Sequence, residues 1–84
     1  MAYDPDMSRL VSFDAANEIP HRAYPWSGPD ADGTIHWQVE YMQDKRSGYW
    51  GPRGSFEERG GKFHLDGKEF DSAYSALRHR VYHP

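Results

Sequence analysis

The chain has 84 residues, 27% of them charged, with a net charge of −3. One small core is the most such a length can build, and neither a polyanion mimic nor a strongly basic nucleic-acid binder fits that balance. Cysteine is absent, which excludes a disulfide-stapled scaffold and a thiolate zinc site, and no apolar run is long enough for a transmembrane helix or a signal-peptide core.

Asp4-Pro5-Asp6 reads as a helix start: the carboxylate caps free N–H groups, and proline at the first helical position loses nothing. Met7, Leu10, Val11, Ala15 and Ile19 recur at roughly helical spacing until Pro20. A short N-terminal helix within 1–19 is therefore expected, with a strand at Arg9 to Phe13 as the alternative. Residues 20–34 hold three prolines and two glycines and read as a loop that lays Tyr24 and Trp26 back on the core.

Ile35 to Tyr41 alternates Ile35, Trp37, Val39 and Tyr41 with His36, Gln38 and Glu40, the period of a strand with one wet face. Gln43 to Gly48 forms a polar hairpin turn. The strand after it is broken by Gly51, Pro52 and Gly54 and is expected to be a bulged edge, with pairing resuming near Ser55 to Glu58. Gly60-Gly61 makes a tight turn, Lys62 to Leu65 a short strand, and Asp66-Gly67 a hairpin tip leading to Lys68-Glu69-Phe70.

The last element is a helix capped by Asp71 or Ser72. Its apolar stripe is Ala73, Tyr74, Leu77 and Val81, with Arg78, His79 and Arg80 near the end where positive charge suits the dipole. The expected fold is a single α+β domain over 1–84: a small antiparallel sheet of three or four short strands, the C-terminal helix on one face, and the short N-terminal helix. Trp37, Val39, Phe63, Leu65, Phe70, Tyr74 and Leu77 should form the core.

Asp66 to Ala76 resembles the hairpin-into-helix edge of some domains associated with adenine methylases, domains suspected of touching DNA. The resemblance spans eleven residues, and any hairpin leading into a capped helix needs the same order. It assigns no family.

The thirteen aromatics outnumber the eight Leu, Ile and Val residues, so the core should be thin and ring-dominated, with aromatic surface left over. Charge is divided along the chain. Residues 1–44 hold eight acids against two bases (−6), and residues 45–84 five acids against eight bases (+3).

Chemistry-bearing motifs are scarce. The five histidines (His21, His36, His64, His79, His83) lack a metal-ligand pattern; His79 and His83 share a helical face without a third ligand. No serine sits in a nucleophile elbow, and Glu57-Glu58 point to opposite sides of a strand. The expectation is a non-enzymatic protein without cofactor or metal. The densest mixture of cations, rings and flexible backbone runs from Lys45 to Phe56, and the residue types that dominate binding hot spots are Tyr, Trp and Arg. Lys45, Arg46, Tyr49, Trp50, Arg53, Arg59 and Lys62 are therefore the expected partner-binding residues.

The functional expectation is a cytoplasmic protein-binding module with no membrane contact. It would be an inhibitor or adaptor of the phage or mobile-element type, anti-CRISPR-like or anti-restriction-like, acting by occluding a protein or nucleoprotein partner; a homodimer is compatible with it. The alternative is a small sheet-plus-helix domain that binds nucleic acid directly through its basic second half.

Overall fold

The computed structural model describes residues 7–14 and 19–83. A short 3-10 turn, Met7–Arg9, leads into six strands: β1 (Val11–Asp14), β2 (Pro20–Ser27), β3 (Ile35–Asp44), β4 (Tyr49–Arg59), β5 (Lys62–Leu65) and β6 (Lys68–Phe70). The helix α1 (Ala73–Tyr82) follows. All six strands pair with their sequence neighbours, antiparallel, in the order β1 to β6, and the sheet curves into half a barrel.

This corrects the expected three or four strands. β1 stands where a helix was expected: among the described residues the only helical piece there is the single turn Met7–Arg9. The helical reading counted Leu10 and Val11 together. The structure instead uses Val11 and Phe13, two apart, which pair with Ala23 and His21 and face inward. The remainder of the expected helix, Asp4 to Asp6 and Ala15 to Glu18, lies outside the described residues.

β2 replaces most of the expected loop. Pro20 is the first strand residue and needs no ladder partner for its nitrogen. Pro25 adjoins a register shift between Pro25 and Ser27, beyond the stretch that β1 covers, so its missing N–H breaks no pairing with that strand. β3 runs on to Asp44, and its partner β4 continues through Gly51, Pro52 and Gly54. Between the pairs Gln38–Ser55 and Glu40–Pro52, Val39 faces two residues, Arg53 and Gly54. That is the expected bulge, here inside an unbroken strand.

Cross-strand register divides the side chains between two faces. Ala23, Trp37, Val39, Phe56, Phe63 and Leu65 line the concave face and are buried with Ala73, Ala76, Leu77 and Val81 of α1. The helix packs against β1, β2, β5 and β6, and so closes over the concave side from both margins. Its N-cap is Ser72, whose side chain accepts from the Ser75 N–H at 3.1 Å. Trp37 and Phe56 stack at 5.4 Å with Phe63 edge-on to both, which is where a chain poor in aliphatics finds its core.

Two expected core members are displaced. Phe70 is only partly buried at the margin, and Tyr74 is 44% exposed. The buried stripe of α1 runs Ala73, Ala76, Leu77 and Val81, and Tyr74, one residue on from Ala73, has turned about 100° out of it. Among the described residues no helix is long and apolar enough to cross a membrane.

Candidate interaction surfaces

The seven residues expected to bind a partner do not form one surface. Lys45 and Arg46 are exposed in the β3–β4 turn, which is fixed by Asp44: its carboxylate accepts from the Arg46 N–H at 2.9 Å, and its carbonyl from the Gly48 N–H at 2.9 Å. Tyr49, beside that turn, is 57% exposed. Arg59 and Lys62 lie at the other end of β4, ten residues or about 33 Å away along the strand. There each has an acid. Arg59 stands 3.9 Å from Glu57, and Lys62 Nζ donates to Asp71 at 2.6 Å. That hydrogen bond raises the Lys62 pKa and lowers that of Asp71.

Trp50 and Arg53 part company across the sheet. Trp50 pairs with Met42 on the convex face and is half-buried there. The Arg22 guanidinium lies 4.1 Å from its ring centroid and is held by Glu40, which accepts from Arg22 Nε at 2.8 Å and from the Tyr24 hydroxyl at 3.1 Å. Arg53 lies on the concave side, 5.5 Å from the ring of Tyr41. Its buried Nε has no hydrogen-bond partner among the described residues. Tyr41 in turn stacks on the buried His21, whose Nδ1 lies 2.9 Å from the Ile19 carbonyl. Burial lowers the His21 pKa, the Ile19 hydrogen bond opposes that shift, and the charge of Arg53 adds to it.

A surface absent from the sequence reading lies on α1. Tyr74 and Tyr82 are 44% and 51% exposed, and both stand edge-on to Phe13 of β1 at 5.8 and 5.7 Å. Between them in sequence, Arg78 places its guanidinium 5.5 Å from the same ring. A shallow groove of about 250 Å³ beside this cluster is lined by Ser75, Arg78, His79, Tyr82 and His83. The signal was in the sequence: Tyr74, Arg78 and Tyr82 are spaced four apart, so they share one helical face. Taking Tyr74 as core concealed it.

The histidines are dispersed. His79 stacks on His83 at 4.4 Å and lies 3.6 Å from Asp66, while His36 Nε2 is 2.7 Å from Asp30. Among the described residues no group of three or more His, Asp or Glu side chains is arranged to hold a metal ion as the side chains stand. What the surfaces offer chemically is aromatic faces, guanidinium donors and tyrosine hydroxyls. No family model, curated protein or solved structure matches the chain.

Proposed function

We propose that the chain is a non-catalytic protein-binding module that acts by covering a partner's surface, as an inhibitor or an adaptor does. One observation supports this above the others: Tyr74, Arg78 and Tyr82 gather around Phe13 as a solvent-facing cluster whose rings are already positioned. Tyr and Arg are the side chains that anchor interfaces, and an anchor fixed before binding loses little entropy on binding. Helix α1 contains no acid, so the partner surface this cluster suits is apolar at its centre and acidic at its rim. Tyr49, Lys45 and Arg46 form a separate exposed group at the β3–β4 turn and are the competing anchor.

The nucleic-acid reading has less to support it. Of the cations it needs, Arg59 and Lys62 stand against acids, Arg53 lies on the concave face, and Lys45 and Arg46 are at the far end of β4. Phosphate contacts act together only when they lie along one track.

Affinity capture with the intact chain tests the proposal through paired variants. A protein retained by the wild type should be lost from Arg78→Ala and Tyr82→Ala, each about thirtyfold weaker, and kept by Tyr49→Ala. Loss with Tyr49→Ala alone would move the site to the turn. Retardation of DNA or RNA of any sequence, with a steep salt dependence, would overturn the protein-binding reading.

A further inference from the structure

The groove on α1 is lined by side chains of one electrostatic kind. Ser75, Arg78, His79, Tyr82 and His83 border a space of about 250 Å³. They follow one another at helical spacings of three and four, so a single face of the helix supplies them over about 12 Å of its axis. None of the five is an acid, and neither is any other residue of α1. Asp66 approaches His79 Nε2 at 3.6 Å and Arg80 at 3.5 Å, but it stands outside the lining.

The donors of this groove have no acceptors from the chain. Arg78 is exposed and makes no hydrogen bond or ion pair among the described residues. Its guanidinium lies 5.5 Å from the ring of Phe13, a contact that restrains it without engaging its N–H groups in hydrogen bonds. Ser75 Oγ accepts from Ser72 Oγ at 3.0 Å, which leaves its own proton to donate. The Tyr82 hydroxyl and the His83 ring also have no hydrogen-bond partner among the described residues, and the His83 ring is held by its stack on His79 at 4.4 Å. A guanidinium fork, two hydroxyls and an imidazole are more donors than the two oxygens of a carboxylate engage. They match a phosphate monoester, which carries about −1.5 to −2 charge at neutral pH and three acceptor oxygens.

We infer that the α1 groove binds a phosphorylated side chain of a protein partner. Arg78 holds the phosphoryl group, Ser75 donates beside it, and Tyr82 and His83 flank it. The helix dipole disfavours an anion at the last turn, so the phosphoryl oxygens lie toward Ser75 and Arg78. The inference rests on the protein-binding reading of α1 and narrows it: the acidic rim of the partner includes a phosphate.

The test is NMR titration of the intact, isotope-labelled chain near neutral pH and at constant ionic strength, with N-acetyl-phosphotyrosine amide and with N-acetyl-phosphoserine amide. At least one should bind saturably, with shifts concentrated on the amides of Ser75 to His83. Arg78→Gln should weaken that binding at least ~10-fold and Ser75→Ala about 3-fold. A chain carrying both Lys45→Ala and Arg46→Ala should bind as the wild type does. Ser75 and Arg78 are exposed, and circular dichroism of each variant verifies its fold. N-acetylglutamate amide and a single-stranded oligonucleotide should both bind more weakly. Absence of saturable binding by both phosphorylated probes at millimolar concentration would overturn the inference, as would binding that survives Arg78→Gln. Equal binding of the glutamate derivative would make the occupant a carboxylate, and equal binding of the oligonucleotide a nucleic acid; either result also overturns it. A protein still captured through Tyr82 after phosphatase treatment of the lysate would sink the phosphate and leave the protein-binding reading standing.

Discussion

The indole N–H of Trp37 donates to Glu58 Oε1 at 3.0 Å, inside a fold where Trp37 is only 1% exposed. Glu58 is held from the other side by Arg9, whose two terminal nitrogens reach the two carboxylate oxygens at 2.9 and 3.0 Å, with the guanidinium 5.1 Å from the Trp37 ring. The turn Met7–Arg9 is thereby tied to β3 and β4 through one carboxylate. Burial disfavours the charge on Glu58, but the hydrogen bonds from Arg9 and Trp37 and the Arg9 charge outweigh it, so its pKa lies below the ordinary glutamate value. A carboxyl with a depressed folded-state pKa stabilises the fold above its unfolded pKa, and that contribution is lost as pH falls. Stability should therefore decline on acidification through about pH 4.5 and below. Glu58→Ala should cost about 1–3 kcal/mol at neutral pH by leaving the indole N–H unpaired. Denaturant titrations at pH 7 and pH 4 check both, and the variant should show the smaller difference between them.

His21 sets a second, separate pH window. Burial, the largest influence, makes the folded state resist its protonation, so its pKa is lowered from 6.5. The unfolded chain then binds the proton more readily, and stability must fall as pH drops below that value until the folded-state pKa is reached. Melting temperatures measured between pH 7.5 and pH 5 should slope downward for the wild type. His21→Gln should flatten that slope. An unchanged slope would place its origin in another histidine.

The elements that were legible in the sequence are those whose signals are local. Alternation from Ile35 to Tyr41 marks β3, and Ser72 followed by an apolar stripe marks α1. Asp66-Gly67, with φ of 53° and 75°, marks the tight β5–β6 turn that only such residues adopt readily. What failed were segments where pairing overrides composition. Pro20 and Pro25 suggested a loop, yet one begins β2 and the other adjoins a bulge. Val11 and Phe13 carry β1 in four residues, too short a run for a period-2 pattern to outweigh the helical spacing around it. The surfaces failed for the same reason. Lys45 to Lys62 is dense in the sequence, but an extended strand spreads it over two faces and two ends.

The bulge opposite Val39 depends on Gly54. Its φ is +106°, a conformation L side chains rarely adopt, and a Cβ there would lie 3.2 Å from Arg80 Nε of α1. Gly48 has φ of +70° and open space around it. Gly54→Ala should therefore cost about 1–3 kcal/mol and exceed Gly48→Ala, which carries backbone strain alone. Urea denaturation of the two variants side by side decides it. Equal costs would mean that α1 yields freely at Arg80.

Trp37 and Trp50 lie on opposite faces of the sheet, and truncating each should report that difference. Trp37 fills the centre of the core against Phe56 and Phe63, so Trp37→Ala should cost about 3–5 kcal/mol and leave much of the population unfolded. Trp50 is half-buried on the convex face, with Arg22 over its ring. Its removal forfeits part of one ring's burial and a cation–π contact of about 0.5–1 kcal/mol, for a total near 2 kcal/mol. Because Glu40 still holds Arg22 at 2.8 Å, the guanidinium should stay in place in Trp50→Ala. For a chain of this size each kcal/mol moves the melting temperature by roughly 4–8 °C. Trp50→Ala should thus melt cooperatively about 8–16 °C below the wild type, with its near-ultraviolet aromatic signal largely retained through Trp37. Loss of cooperative melting in Trp50→Ala would show that the convex face carries as much of the fold's stability as the concave one.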